Sequence, residues 1–363
     1  MVFKVFVMDF THSEERQLLS NTIEKFIIND YPLSHRMVNA SSDLGFSLES
    51  WKKLNDLGIN YALFSEQFNG FGGEGFDIAV VFEALGKGLV VEPFLSTLMG
   101  GDILSQSNAH NDILELLIAG EKRIAFAHFE PHSGYENNIK TSQTANGITG
   151  VKSMVQSANG VDFIIVSAKD RDELKLYLVE SKAIGLKITD YTTIDGGRAA
   201  EIFFDDVIGE ELNIDTKNAL ESAIGKGILA LSSEALGIME FIKNLTINYL
   251  QTRSQFGRQL GKFQALQHRT AQILIEIEQA RSAVINACSS LNKKGKAREM
   301  ALSACKMTIG RVGQIVAEEA IQLHGGIGMT WEYELGHYAK RLIMIDHELG
   351  DEDFHTARYA KYL

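Results

Sequence analysis

The sequence predicts a mostly α-helical fold with a small β domain inserted between two helical regions. Apolar residues recur at three-to-four spacing up to about residue 120 and again from about residue 218, whereas the stretch between carries short apolar runs split by turn residues. Only three prolines occur in 363 residues, as long uninterrupted helices require. A chain of this length has room for two or three domains and a large core. The changes of periodicity divide it into an N-terminal helical domain over residues 8–120, a β domain over 121–210 and a helical bundle over 211–363.

The N-terminal run Val2–Val7 is too short for a signal-peptide core and has no small-residue cleavage site. Thr11-His12-Ser13-Glu14 has the form of a helix capping box, which makes Met8 a candidate start and leaves residues 1–7 in question. Leu18, Leu19, Ile23, Phe26 and Ile27 then mark one helical stripe, and Ile78, Val81, Phe82 and Leu85 another. Between them, Gly70, Gly72 and Gly75 satisfy GxGxxG spacing, but no strand precedes them, so the segment reads as a plain loop. Ile124–Phe129, Phe163–Ser167, Leu174–Val179 and Ala200–Phe204 read as antiparallel strands, with Asn146-Gly147 and Asp195-Gly196-Gly197 as turns. After Asn218 three long stripes follow: Ile224 to Tyr249, Phe263 to Ala287 and Ala301 to Leu323. Helices of this length bury such stripes best in an antiparallel bundle.

Hydrophobic content of 45% and charged content of 23% are those of a soluble globular protein. A net charge of −12 and the lack of a basic block argue against nucleic-acid binding, and no apolar run is long enough for a membrane span. Cys288 and Cys305 sit in helical stripes without CxxC spacing or paired histidines, so neither a metal site nor a disulfide is expected and a reduced, cytoplasmic setting fits.

Chemistry concentrates in two segments. Arg253-Ser254-Gln255-Phe256-Gly257 closes the first long helix, with Phe263-Gln264 shortly after, and Gln322-Leu323-His324-Gly325-Gly326-Ile327-Gly328 closes the third. An arginine with glutamines can hold a pyrophosphate and an adenine edge, and adjacent glycines let backbone approach a phosphate. With the order of helical, β and long-helix regions, these segments resemble the acyl-CoA dehydrogenase family along the whole chain. The likeness is greatest to its pimeloyl-CoA dehydrogenase small-subunit group, through Phe76–Pro93, Arg123–His128, Phe263–Arg269 and Gln322–Asp346.

The resemblance implies an N-terminal helical domain, a middle antiparallel β-barrel or sandwich and a C-terminal four-helix bundle. It also implies FAD as cofactor, oxidation of an acyl-CoA to the 2-enoyl-CoA with electrons passed to an electron-transfer flavoprotein, and a dimer or tetramer sharing cofactor sites. A dicarboxylyl-CoA such as pimeloyl-CoA is the implied substrate. Arg253, Gln255 and Phe256 would meet the ADP part of the flavin, Leu260, Phe263 and Gln264 would wall it, and Gln322, Gly325 and Gly326 would reach it from a neighbouring subunit. In the β domain His128, Phe129, Tyr135, Met154 and Gln156 fall where family members line the flavin ring and thioester. There Phe129 stands for a threonine, Tyr135 for a serine, Met154 for an aromatic and Gln156 for a threonine; His128 is equally readable as a packed strand residue.

The family reaction needs a carboxylate to take the α-proton while the β-hydrogen leaves as hydride. One usual position falls on Leu349 and the other near Gly227, so neither carries the base. Glu348, next to Leu349, is the candidate within this chain; Glu332 reads better as a first-turn helix acid. Three functions therefore remain open: a self-sufficient dehydrogenase, a non-catalytic partner completing a flavin site in a hetero-oligomer, or a plain helical scaffold without cofactor.

Overall fold

The computed structural model describes residues 12–107, 109–135 and 138–363. The first helix, α1 (Glu14–Asp30), is capped by Ser13, whose Oγ accepts the Arg16 N–H. The expected cap at Thr11 and the questioned residues 1–7 lie outside the described residues. Six helices follow: α2 (Leu33–Ser41), α3 (Leu48–Asp56), α4 (Ile59–Leu63), α5 (Gly75–Lys87), α6 (Phe94–Leu104) and α7 (Asn111–Ile118). Pro32 and Pro93 stand at the N-caps of α2 and α6, where no backbone donor is lost to a helical bond. Gly70, Gly72 and Gly73 fold back on the Tyr61–Ser65 backbone as a loop.

The β region is one sheet of eight strands: β1 (Ile124–Ala127), β2 (Ser142–Thr144), β3 (Gly147–Gln156), β4 (Phe163–Asp170), β5 (Glu173–Glu180), β6 (Leu186–Thr192), β7 (Arg198–Val207) and β8 (Glu210–Glu211). It runs β6-β7-β3-β2-β4-β5-β8, with β1 joined to β4. It is not a closed barrel, and it is mixed rather than wholly antiparallel, because β1 and β2 both run parallel to β4. These two short strands lie end to end along one edge of β4, and residues 128–135 leave the sheet after β1. That excursion carries Phe129 to Tyr135. Strands β2, β3 and β6 have polar or mixed faces, which is why their sequences do not announce them.

The C-terminal region holds α8 (Thr216–Thr252), α9 (Gln264–Ser290), α10 (Lys296–His324), α11 (Leu335–Asp346) and α12 (Glu352–Ala360). Its apolar stripes merge with those of α1, α5 and α6 in one core that includes Ile78, Val81, Ile228, Ile238, Ile277 and Ile309. α5 and α8 cross at backbone contact: a Cβ on Gly86 would lie 2.2 Å from the Glu234 carbonyl oxygen, and one on Gly237 2.0 Å from that of Glu83. Any larger residue at either position forces the helices apart. A second core, with Met99, Ile124, Ile165, Leu220 and Ala223, fastens the sheet to α6 and α8. Among the described residues no helix is long and apolar enough to cross a membrane.

Candidate functional site

Where the 128–135 excursion meets the helices, it forms one wall of a cleft. Phe129, Glu130 and Tyr135 face Leu95, Ser96 and Met99 of α6, Met154 and Gln156 of β3, and His347, Glu348 and Leu349 of the turn after α11, around about 350 Å³. Met154 sits at a register shift in β3 with φ +52°, a β-bulge that turns its side chain toward solvent. A second cavity of about 510 Å³ shares Phe129, Tyr135 and Leu349 and continues past Leu220 and Ile224 of α8 to Lys217 and Arg358. Between the two, the Tyr135 hydroxyl donates to the His347 carbonyl at 3.1 Å.

Leu349, on the cleft wall, packs over buried Gly227. A Cβ built on Gly227 would lie 2.7 Å from Leu349 Cδ1 and 2.8 Å from Met99 Sδ. The base positions that the resemblance implies, on Leu349 and near Gly227, thus fall together, and neither Leu349 nor Gly227 carries a carboxylate. The turn itself is firmly built. Lys306, fully buried, donates Nζ to the carbonyls of Ile345, Asp346 and Gly350 at 2.8, 2.8 and 2.6 Å, and a His355 ring nitrogen lies 3.0 Å from the Leu349 carbonyl oxygen. Burial pulls the Lys306 ammonium down to about 8 and His355 down to about 4. Leu349 is held at φ +57°, a strained conformation for a branched residue that persists only when its surroundings impose it.

The carboxylates at the cleft are engaged. Glu130 pairs with buried Lys152 at 2.7 Å and accepts the Thr141 and Lys140 N–H groups. Burial opposes its ionisation, but these donors outweigh burial and hold it below the usual range. Burial also brings Lys152 down to about 8. Glu348, 8% exposed, faces Arg341, whose Nη1 is 2.6 Å from its Oε1. The same guanidinium binds Glu234 through Nε at 2.6 Å and Nη2 at 2.8 Å, and Asp195 at 3.1 Å. Burial raises the Glu234 pKa even against the attraction of Arg341. Four residues far apart in sequence thus build one charged knot behind the cleft wall.

The remaining candidates separate into two groups. Phe129, Tyr135, Met154 and Gln156 line the cleft. His128 does not: it is buried, stacked on Phe126 at 5.6 Å, with Nδ1 2.9 Å from Ser167 Oγ. The strand turns it inward. Glu332 is exposed before α11, away from the cleft. Arg253 caps the C-terminal end of α8, Gln255 and Phe256 lie on the hairpin of residues 254–259 that follows, and Leu260, Phe263 and Gln264 come after it. Gln322, Gly325 and Gly326 lie at the end of α10, and the two ends touch: His324 stacks on Tyr249 at 4.4 Å and accepts its hydroxyl at the carbonyl, 3.2 Å away.

A family model for the C-terminal domain of acyl-CoA dehydrogenases matches residues 218–362. The acyl-CoA dehydrogenase IpdE2 of Mycolicibacterium smegmatis is 29% identical over 334 residues, 91% of this chain and 92% of that protein. The chain is thus similar to acyl-CoA dehydrogenases along most of its length, and its C-terminal region matches their C-terminal domain. Among solved structures, the ChsE4–ChsE5 complex from Mycobacterium tuberculosis shares the fold with a TM-score of 0.89, at 21% identity over 98% of both chains. PigA with FAD and proline does so with 0.88, at 23% identity and the same coverage. The neighbour PigA is solved with FAD, the flavin that the sequence resemblance implies for this chain.

The residues present fit that cofactor. Arg253, Gln255, Gln264 and Gln322 make no side-chain hydrogen bond to the described residues, leaving their donors open. A Cβ at Gly257, Gly325 or Gly326 would meet nothing within 4 Å, so this backbone can approach a phosphate. Arg253→Ala is expected to lower the flavin-to-protein ratio after gel filtration, through loss of a charge-assisted contact. An unchanged ratio would remove Arg253 from the flavin site.

Proposed function

We propose that this chain is a subunit of a hetero-oligomeric acyl-CoA dehydrogenase, in which it completes a flavin site while a second chain supplies the acceptor for the α-proton. The observation that carries this is the meeting of Leu349 with Gly227. Leu349 lines the cleft and packs over buried Gly227, and neither residue carries a carboxylate. FAD, when bound, supplies the hydride acceptor; this chain supplies an apolar floor, the flanking Met154 and Gln156, and phosphate-binding donors at the bundle end.

Two geometric facts support sharing between subunits. The cleft at Gly227 and the hairpin after Thr252 are separated by about seven turns of α8, roughly 37 Å, which exceeds the reach of one dinucleotide. Arg253 and its neighbours therefore serve a flavin whose ring lies in another chain. That bundle end also exposes Phe256 at 90%, Met329 at 74% and Trp331 at 60%, a surface that suits burial against a partner. Electrons would pass to an electron-transfer flavoprotein. A dicarboxylyl group such as pimeloyl would find Arg36 and Arg341 already committed, the former to carbonyls of Asp195 and Leu89, leaving Lys217 of the outer cavity to receive it.

The second reading, a self-sufficient enzyme with Glu348 as base, is supported by the presence of Glu348 on the cleft wall. Producing the chain alone and together with a base-bearing family member separates the two, with flavin absorbance and native mass as readouts. The expected result is a hetero-oligomer with full flavin, and little bleaching by acyl-CoA when the chain is alone. Rapid bleaching by a homo-oligomer of this chain would overturn the proposal. Loss of that bleaching in Glu348→Gln, with flavin retained, would then name the base.

A further inference from the structure

The cleft is in two parts, and one side chain divides them. The outer cavity, which opens at exposed Lys217, and the inner one, which holds Met154 and Gln156, share only Phe129, Tyr135 and Leu349. Phe129 belongs to the wall and Leu349 to the floor. Tyr135 spans the gap: its ring lies 5.4 Å from that of Phe354 on α12, and its hydroxyl donates to the His347 carbonyl 212 residues further along the chain. It thereby ties the 128–135 excursion to the turn that Lys306 and His355 immobilise. One end of the tie is rigid, so the partition opens only if the excursion moves or the ring rotates away. Burial, with Asp351 and Asp346 close by, pushes the Tyr135 hydroxyl up to about 12, so it stays a donor throughout the neutral range.

We infer that Tyr135 is the specificity-determining partition of this cleft: an acyl thioester extending from the outer cavity to the flavin-lining chamber must displace it, and this sets which thioesters the chain admits. The inference rests on the reading of the cleft as a flavin-and-thioester site. It goes beyond that reading by identifying a physical obstruction to the thioester, separate from the lack of a base. A chain thioester must break the Tyr135–His347 bond and move the ring, whereas a ligand confined to one chamber need not. With serine at 135 the two cavities join into one channel.

The test uses the full-length protein with its partner and saturating FAD, titrated with free CoA, acetyl-CoA, butyryl-CoA and octanoyl-CoA. Dissociation constants are read by calorimetry, and the flavin absorption band is followed in parallel. Tyr135→Ser is expected to bind octanoyl-CoA at least about tenfold more tightly than the wild type, with a shift of the flavin band that the wild type lacks. Tyr135→Phe keeps the ring but loses the tether, and is expected to fall between the two. The gain should be smallest for free CoA, which has no acyl group to pass the partition. Octanoyl-CoA affinities within twofold across all three proteins, or an equal gain for free CoA, would overturn the assignment. Failure of the subunit reading shows separately, as rapid bleaching by the wild-type chain alone.

Discussion

Leu349→Glu is expected to give this chain a base. Little flavin bleaching should occur with the wild type at saturating thioester, and the variant should bleach faster by about 10² to 10⁴, the usual contribution of a positioned general base. The surroundings favour the exchange. Lys306 already grips the carbonyls of Ile345, Asp346 and Gly350, and His355 lies against that of residue 349 itself, so a glutamate would inherit the same turn. Its side chain would extend over Gly227 and Met99, where the lack of polar neighbours raises a carboxyl pKa toward the range a general base needs. Stopped-flow absorbance of the flavin band is the measurement. Wild-type-like bleaching by a variant that keeps its flavin would show that the turn does not face the reacting carbon.

Arg341→Met carries the largest expected loss of stability. One guanidinium stands between Glu234, Glu348 and Asp195, and removing it leaves three buried carboxylates without their shared cation. Breaking a buried pair in this way costs about 3–5 kcal/mol. The pH dependence has a definite sign. The Glu234 pKa is raised in the folded protein by burial, and loss of Arg341 removes the attraction that limits this rise. A carboxyl with a raised folded-state pKa favours the folded state below its unfolded value, and that contribution is lost as pH rises through the folded pKa. The variant should therefore unfold most readily at neutral and alkaline pH and recover on acidification through the carboxylate range. Urea unfolding across pH would reveal it. A deficit independent of pH would mean that lost packing, rather than lost charge, governs the effect.

The sequence shows what periodicity and short motifs can show. The long stripes of α8, α9 and α10 appear in it because their apolar faces repeat over many turns, and the bare base positions appear because the Gly350 turn and Gly227 sit at recognisable spacings. The arrangement of β1 and β2 on one edge of β4 does not appear, since β2 is short and polar. Nor does the fate of His128, because one strand residue cannot declare which face is covered. The knot around Arg341 joins residues 195, 234, 341 and 348, and the Tyr135 tie closes a loop of 212 residues. Such pairings follow from how separately folded elements dock, which local text does not encode.

The aromatic bundle end has a consequence for the life of the chain in a cell. Phe256, Met329 and Trp331 present greasy surface to water for as long as a copy is alone. Under the subunit proposal, association removes that liability by mass action, so thermal stability should climb with the concentration of the second chain. Copies made in excess are the ones most prone to clump or be degraded. Matched synthesis of the two chains would then be a requirement written into a few exposed side chains.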